Sequence, residues 1–358
     1  MVFAIAALFV SYLVVANVLL RFGGVEHLVN DSTDDAHLTL GPSHTWFPGR
    51  VEVRDVRLRF EDRNVQFELV IAKASAKLDL FALARKRLHF SSLDADGVRF
   101  RFRHKVASVA GNERRLLHFP HIDGFSDPPL LKYEPVTDKS KNWAFHLENV
   151  RARGVELWFM EYRYAGRADV RGAFELVPGR KLWVEPAHVD FAPGELSLGT
   201  KRPLGRGVRG SLDFRFRETN PDPIVGLLIF RQISAKAALD AELVDVEAAN
   251  LYVSDASGVA VRRGKASLRA RVELRDGRFL PESRITLRSS EDVHVALPSA
   301  ALASRFDAEL LARAGPSEPV RLVVDGALTS TALTLGDARP TEPAGVSTEL
   351  VRMVLVTD

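Results

Sequence analysis

The chain has 358 residues, with 49 Lys and Arg against 46 Asp and Glu, a net charge of +3, 46% hydrophobic residues and no cysteine. That length suits one large or two ordinary domains, and the balance of apolar and charged residues excludes wholesale disorder. Interleaved charge of both signs argues against a nucleic-acid-binding stripe, and the lack of cysteine excludes disulfides, thiolate metal sites and a cysteine nucleophile.

The first predicted element is a helix. Val2 to Leu20 is apolar apart from Ser11, Tyr12 and Asn17. At about 1.5 Å per residue this run reaches about 29 Å, the thickness of a bilayer's hydrocarbon core. It is longer than a typical signal-peptide core, and no small-x-small site precedes Arg21. Residues 1–21 are therefore expected to form a retained transmembrane anchor, followed by a polar, irregular juxtamembrane stretch over 22–45.

Strands are predicted from Trp46 onward, in a β-rich unit over 46–103. Apolar and charged residues alternate at period two, which puts one type on each face of a strand. Val51 and Val53 share one parity and Val56, Leu58 and Phe60 the other, so a bulge is expected near Asp55. Val65, Phe67, Leu69 and Ile71 then take one face, and Ala72, Ala74, Ala76 and Leu78 the opposite phase. Leu80 to Arg87 reads as a short helical turn, and strands resume through Leu88, Phe90, Leu93, Val98, Phe100 and Phe102.

Residues 104–142 break the alternation with Pro120, Pro128, Pro129 and Pro135, and read as a linker or insertion. A β-rich domain is predicted over 143–358. Within it, Ile233 to Leu243 is apolar on odd positions and Ala266 to Leu274 on even ones. Asp276-Gly277 closes a hairpin, Ile224 to Phe230 could supply two helical turns, and Leu350 to Val356 is strand-like. Ala95 to Phe102 can be laid over Ala152 to Phe159 as a faint repeat, each copy turning at a glycine before a strand with large apolar groups on alternate positions.

Motifs with chemical content are few. Gly205-Arg206-Gly207-Val208-Arg209-Gly210 fits G-x-G-x-x-G, but a dinucleotide site needs that loop to open a helix. Here it leads straight into a strand, and it reads as a loop. His118, His121 and Asp123, with His104 nearby, are ligand types on a Pro-rich segment and read as surface histidines; no metal or cofactor is expected. No catalytic motif is present, and the chain is read as a non-enzyme. The aromatic residues carry more: Phe67, Leu69, Phe90, Phe100, Phe102, Phe145, Phe159, Phe214 and Phe216 sit at inward-facing parity. They describe an apolar surface with few helices to cover it.

The runs PGRVEVRDVRLRF (Pro48 to Phe60), LFALARKRL (Leu80 to Leu88), LDADGVRFRF (Leu93 to Phe102) and NWAFHLENVRARGVELWF (Asn142 to Phe159) follow the apolar N-terminal segment in that order. This resembles the AsmA-like proteins, the bacterial envelope group that includes TamB and is related to chorein-type bridge-like lipid transfer proteins. The likeness covers residues 1 to about 200, with texture alone beyond. It implies a single-pass inner-membrane anchor and a mainly β bulk in the periplasm. The sheet would be an elongated, twisted antiparallel groove, taco-like, or else a β-sandwich, with few short helices. Phospholipids, the inner membrane and envelope proteins are the implied partners, in lipid transport or outer-membrane maintenance. The chain is short for a groove that crosses the envelope. The rival expectation is a structural or assembly factor whose sheets close on themselves and whose edges bind envelope proteins.

Overall fold

A computed structural model describes residues 2–31, 35–62, 64–83, 85–131, 144–177, 180–200, 202–220, 231–251, 258–298, 300–313, 321–335, 347–349 and 353–356. The fold is mainly β, with 64% of the described residues in strands and few helices. Two compact units are distinguishable, Met1–Val189 with Phe214–Gln232, and Asp190–Asp213 with Ile233–Asp358. The expected turns at Ile224 to Phe230 lie outside the described residues, as do Pro135 and residues 350–352 of the late strand-like run.

The first unit opens with helix α1 (Val2–Arg21) and helix α2 (Gly24–Asn30), then strands β1 (Ala36–Thr39), β2 (Ser43–Phe47), β3 (Arg50–Glu61) and β4 (Val65–Leu78). The predicted helical turn is α3 (Leu80–Leu83), followed by β5 (Arg87–His104), the short α4 (Glu113–Leu116), β6 (Ala144–Arg153), β7 (Glu156–Phe159), β8 (Tyr162–Ala165) and β9 (Ala168–Val177). Strands β10 (Lys181–Leu198) and β11 (Arg202–Thr219) have residues in both units.

The stretch 22–45 is more ordered than expected. Asn30 makes two side-chain bonds to the backbone of Leu38, at 2.7 and 3.0 Å, and the carboxylate of Glu26 accepts from the Leu40 amide. These bonds fix β1 beside β3, with Ala36 opposite Phe60. Asn30 and Glu26, at least, are polar because their side chains serve the backbone.

Helix α1 covers the predicted run, but among the described residues no single helix is long and apolar enough to cross a membrane. Phe9–Arg21 and Gly24–Asn30, bent by 59° at their break, meet the criterion only together. Asn17 explains one face of α1. Its amide group donates to Thr45 O at 2.9 Å and accepts from the Thr45 amide at 2.9 Å, and Tyr12 Oη accepts from the Gly49 amide at 3.2 Å. The polar interruptions of the apolar run thus dock it on the β2–β3 turn, while Val10, Val14, Val15, Val18 and Leu19 stay exposed.

Strands β1 to β5 pair antiparallel, but β5 runs parallel to both β6 and β7, so the sheet is mixed and not wholly antiparallel. Parallel neighbours need a long crossover, and residues 105–131 are its described part. The repeat gains a structural meaning here. Ala95 faces Ala152, Phe100 faces Leu157 and Phe102 faces Phe159, the same correspondence that overlaid the two sequences. β6 and β7 follow one another along a single edge of β5. Pairings among β5, β6, β9, β10, β8 and β7 close a six-strand barrel to which further strands add, which is not clearly a groove.

The bulge expected near Asp55 belongs to a row. Asp55 (φ 50°), Gly97 (φ 65°) and Gly154 (φ 63°) are left-handed residues level with one another on β3, β5 and the β6–β7 junction. On β4, the apolar parity changes at the same level, from Phe67, Leu69 and Ile71 to Ala74 and Ala76. Gly97 has a second reason to be glycine: a Cβ there would meet the Ala72 Cβ at 2.9 Å.

In the second unit, β12 (Ile233–Leu243), β13 (Ala260–Arg263), β14 (Ala266–Arg275), β15 (Arg278–Phe279), β16 (Arg284–Ser289), β17 (Val293–Leu297), β18 (Ala300–Arg313), β19 (Arg321–Leu335), β20 (Ser347–Glu349) and β21 (Met353–Val356) follow. β12, β14, β16, β18 and β19 pair successively and antiparallel. Asp276 (φ 49°) and Gly277 (φ 74°) form the predicted tight turn, with Arg275 opposite Arg278. The G-x-G-x-x-G run is not a loop as expected but lies inside β11. A Cβ on Gly210 would stand 1.8 Å from Ala238 O, so close strand approach requires that glycine.

Candidate functional site

The site that most merits description is the aromatic face of the first unit. Register places Phe60 of β3 opposite Phe67 of β4, Phe67 opposite Phe102 of β5, and Phe102 beside Phe159 of β7. The rings form a ladder. Phe60 and Phe67 stack at 5.0 Å between centroids, Phe67 and Phe100 lie at 5.8 Å, and Phe102 and Phe159 stack at 4.7 Å with planes 3° apart. Leu69 sits opposite Phe100. Offset aromatic pairs contribute about 0.5–1.5 kcal/mol each beyond area burial.

A core aromatic would be fully enclosed. Phe60 is, at 7% exposure, but Phe67, Leu69, Phe100 and Phe102 are only half-buried, and Phe159 is 50% exposed. Five of the nine expected residues therefore meet on one half-open surface: Phe67, Leu69, Phe100, Phe102 and Phe159. Phe90 lies elsewhere, with Leu78 and Leu147 as its register partners, and Phe145 lies between Leu88 and Leu176. Phe214 and Phe216 are on β11, half-buried and 4% exposed respectively, and do not belong to the stack. Phe60 was absent from the expected set, although its parity with Leu58 signals it.

The opposite face corrects the sequence reading. Alternation implies that charged positions stay wet, yet Gln66 (0%), Glu68 (2%) and Arg103 (0%) are buried. Residues 105–131 cross that face as a strap. Arg103 donates to Gln66 Oε1 at 2.8 Å, to Pro120 O at 2.9 Å, to Ser126 O at 3.0 Å and to Asp127 Oδ1 at 3.1 Å. Lys105 pairs with Glu61 at 2.8 Å, and Trp158 Nε1 donates to His118 O at 3.2 Å. Ile122, fully buried, and Phe119 complete the seal. Burial pushes the Arg103 guanidinium down from its usual value, and Asp127 and Glu61 draw it back. The polar face is covered and the apolar face half-open, the reverse of an ordinary soluble sheet.

His118, His121 and Asp123 belong to this strap. His121 lies exposed, with Nδ1 2.8 Å from Asp127 Oδ2 and Nε2 3.3 Å from Asp123 Oδ1. His104, at the end of β5, packs edge-on against Phe119, with centroids 5.6 Å apart. Burial lowers its basicity, and Arg115 adds to the effect. The folded chain thus resists protonating His104, while the unfolded chain takes up a proton below about pH 6.5. Stability should fall as pH drops from there through the folded value. His104→Gln is expected to lose less melting temperature than the parent between pH 7.5 and 5.5, measured by thermal unfolding.

Two charged clusters remain. On β5 and β6 the parallel register sets His89 beside His146, with Glu148 close to both; among the described residues these three could hold a metal ion. Sequence reading missed them because the two histidines belong to distant segments that only the crossover unites. In the second unit, Arg206, Arg209, Asp240, Glu242, Arg269 and Arg288 line a cleft of about 410 Å³. Burial works to raise the Asp240 carboxyl, but Arg271 and Arg269 outweigh it and hold the group below its ordinary range. It is an ion-paired carboxylate and not a proton donor.

No protein-family model, curated protein or solved structure matches this chain.

Proposed function

We propose that this chain is an AsmA-like envelope protein, anchored in the bacterial inner membrane through its bent N-terminal helix pair, that holds phospholipid acyl chains against the aromatic face of its periplasmic β bulk. Its role is non-enzymatic, in lipid transport or outer-membrane maintenance. The observation that carries this reading is the half-open ladder Phe67, Phe100, Phe102 and Phe159, on a sheet whose polar side is already strapped. Apolar contact gains about 0.8 kcal/mol per methylene, so such a face can hold tails without specific bonds.

The anchor is supported by chemistry at the N-terminus. Exposed valines and Leu19 line one side of α1, and Trp46 and Phe47 stand 75% and 59% exposed on the turn where α1 docks. Trp beside an apolar helix is the composition of a membrane interface. Native mass spectrometry of detergent-free protein lacking residues 1–21 is the direct test. Bound phospholipid is expected, and protein that remains empty after extraction from lipid-rich membranes would defeat the reading. The six-strand closure favours a second one, a structural factor that binds envelope proteins; crosslinks to protein with no lipid would select it.

A further inference from the structure

His89 and His146 are directly opposite in the parallel β5–β6 pair, their rings edge to face at 4.8 Å. Glu148, two residues beyond His146, presents one oxygen to both. Glu148 Oε1 lies 3.2 Å from His89 Nε2 and 3.0 Å from His146 Nε2. Ligand atoms of all three residues fall within 4.8 Å of one another. A tetrahedral centre with bonds of about 2.0–2.1 Å separates its ligand atoms by roughly 3.3 Å, and the two histidine-to-Glu148 separations are close to that. His89 Nε2 is shut off from solvent and makes no aligned hydrogen bond, despite the nearby carboxylate. In the tautomer that keeps its proton on Nδ1, toward Asp79, this nitrogen offers its lone pair to a metal.

The outer nitrogens repeat the theme. His89 Nδ1 faces Asp79 Oδ2 at 3.6 Å, and His146 Nδ1 faces Glu175 Oε2 at 3.7 Å. Both carboxylates are themselves held: Asp79 by the Phe81 and Ala82 amides of α3, Glu175 by Lys181 at 2.9 Å. A carboxylate behind each histidine is the arrangement that orients metal-binding imidazoles. One side opens into a cleft of about 280 Å³ lined by Phe81, Arg85 and Arg87, room for a water or anion as a further ligand.

We infer that His89, His146 and Glu148 bind a divalent transition metal, zinc foremost, clamping β5 to β6. Two imidazoles and one carboxylate suit zinc and its neighbours, not calcium or magnesium. The site is independent of lipid binding.

The test is titration of the full chain, in detergent micelles, with cobalt(II) chloride and then zinc chloride. One equivalent of cobalt is expected to develop the visible bands of a four- or five-coordinate ion, and zinc to displace it. His89→Ala with His146→Ala should abolish the spectrum. Asp79→Asn should weaken binding about 10–100-fold, while His121→Ala should change nothing. If the double variant fails to fold by circular dichroism, Glu148→Gln, which keeps both rings, decides with at least a tenfold loss. No cobalt spectrum in the parent chain, bands that survive both substitutions, or loss on His121→Ala would each overturn the assignment.

Discussion

Phe100→Asp combined with Phe102→Asp should strip phospholipid from the protein lacking residues 1–21 while leaving its far-ultraviolet circular dichroism intact. Both rings are half-buried on the open face, so a carboxylate placed there keeps contact with water and the strand survives. A tail laid over that carboxylate would exclude the water, and an unpaired buried charge is disfavoured by several kcal/mol. Each 1.4 kcal/mol is tenfold, so bound lipid per protein, quantified by mass spectrometry, is expected to fall more than 100-fold. Phe100→Leu with Phe102→Leu keeps the surface apolar and should keep most of the lipid. Loss of fold in the aspartate variant would mean that the ladder is core, and unchanged lipid would mean that tails bind elsewhere.

Arg103→Ala should be the most destabilising single substitution in the first unit, by about 3–5 kcal/mol in urea unfolding. Arg103 is fully buried and supplies donors to Gln66, two strap carbonyls and Asp127. Removing it leaves the buried acceptors of Gln66 and Pro120 without hydrogen, each at a penalty of about 1–3 kcal/mol. Limited proteolysis should then cut between residues 105 and 131, where the parent chain resists. Arg103→Lys should recover only part of the loss, because an ammonium cannot match the guanidinium fork. Equal stability of the alanine variant would show that the strap holds through Ile122 and Phe119 alone.

Local features of this fold were legible in the residues. Parity predicted the strand faces, the break at Asp55 and most of the aromatic ladder, while helical spacing predicted the α3 turn and the Asp276-Gly277 pair the hairpin. Each depends on neighbours within a few positions, which period-two reading captures. What escaped depends on residues far apart. Whether β6 lies parallel or antiparallel to β5 is decided by the connection between them, and no alternation encodes that connection. The His89, His146 and Glu148 cluster was hidden for the same reason. Gln66 and Arg103 read as wet because charge at strand parity usually is, and only the strap's carbonyls give the arginine a reason to be buried. Asn17 and Tyr12 looked like blemishes in an apolar run, yet they are the groups that fasten α1 to the β2–β3 turn.

Under the proposed lipid-holding role, the row at Asp55, Gly97 and Gly154 has a bearing on cargo size. Where the greasy parity switches, a continuous oily lane along β4 ends, so the lane runs only from Val65 to Ile71. At about 3.3 Å per residue that is about 20 Å, somewhat longer than one leaflet's share, about 15 Å, of a bilayer interior. The row would act as a ruler, admitting a single tail lengthwise and stopping a longer one.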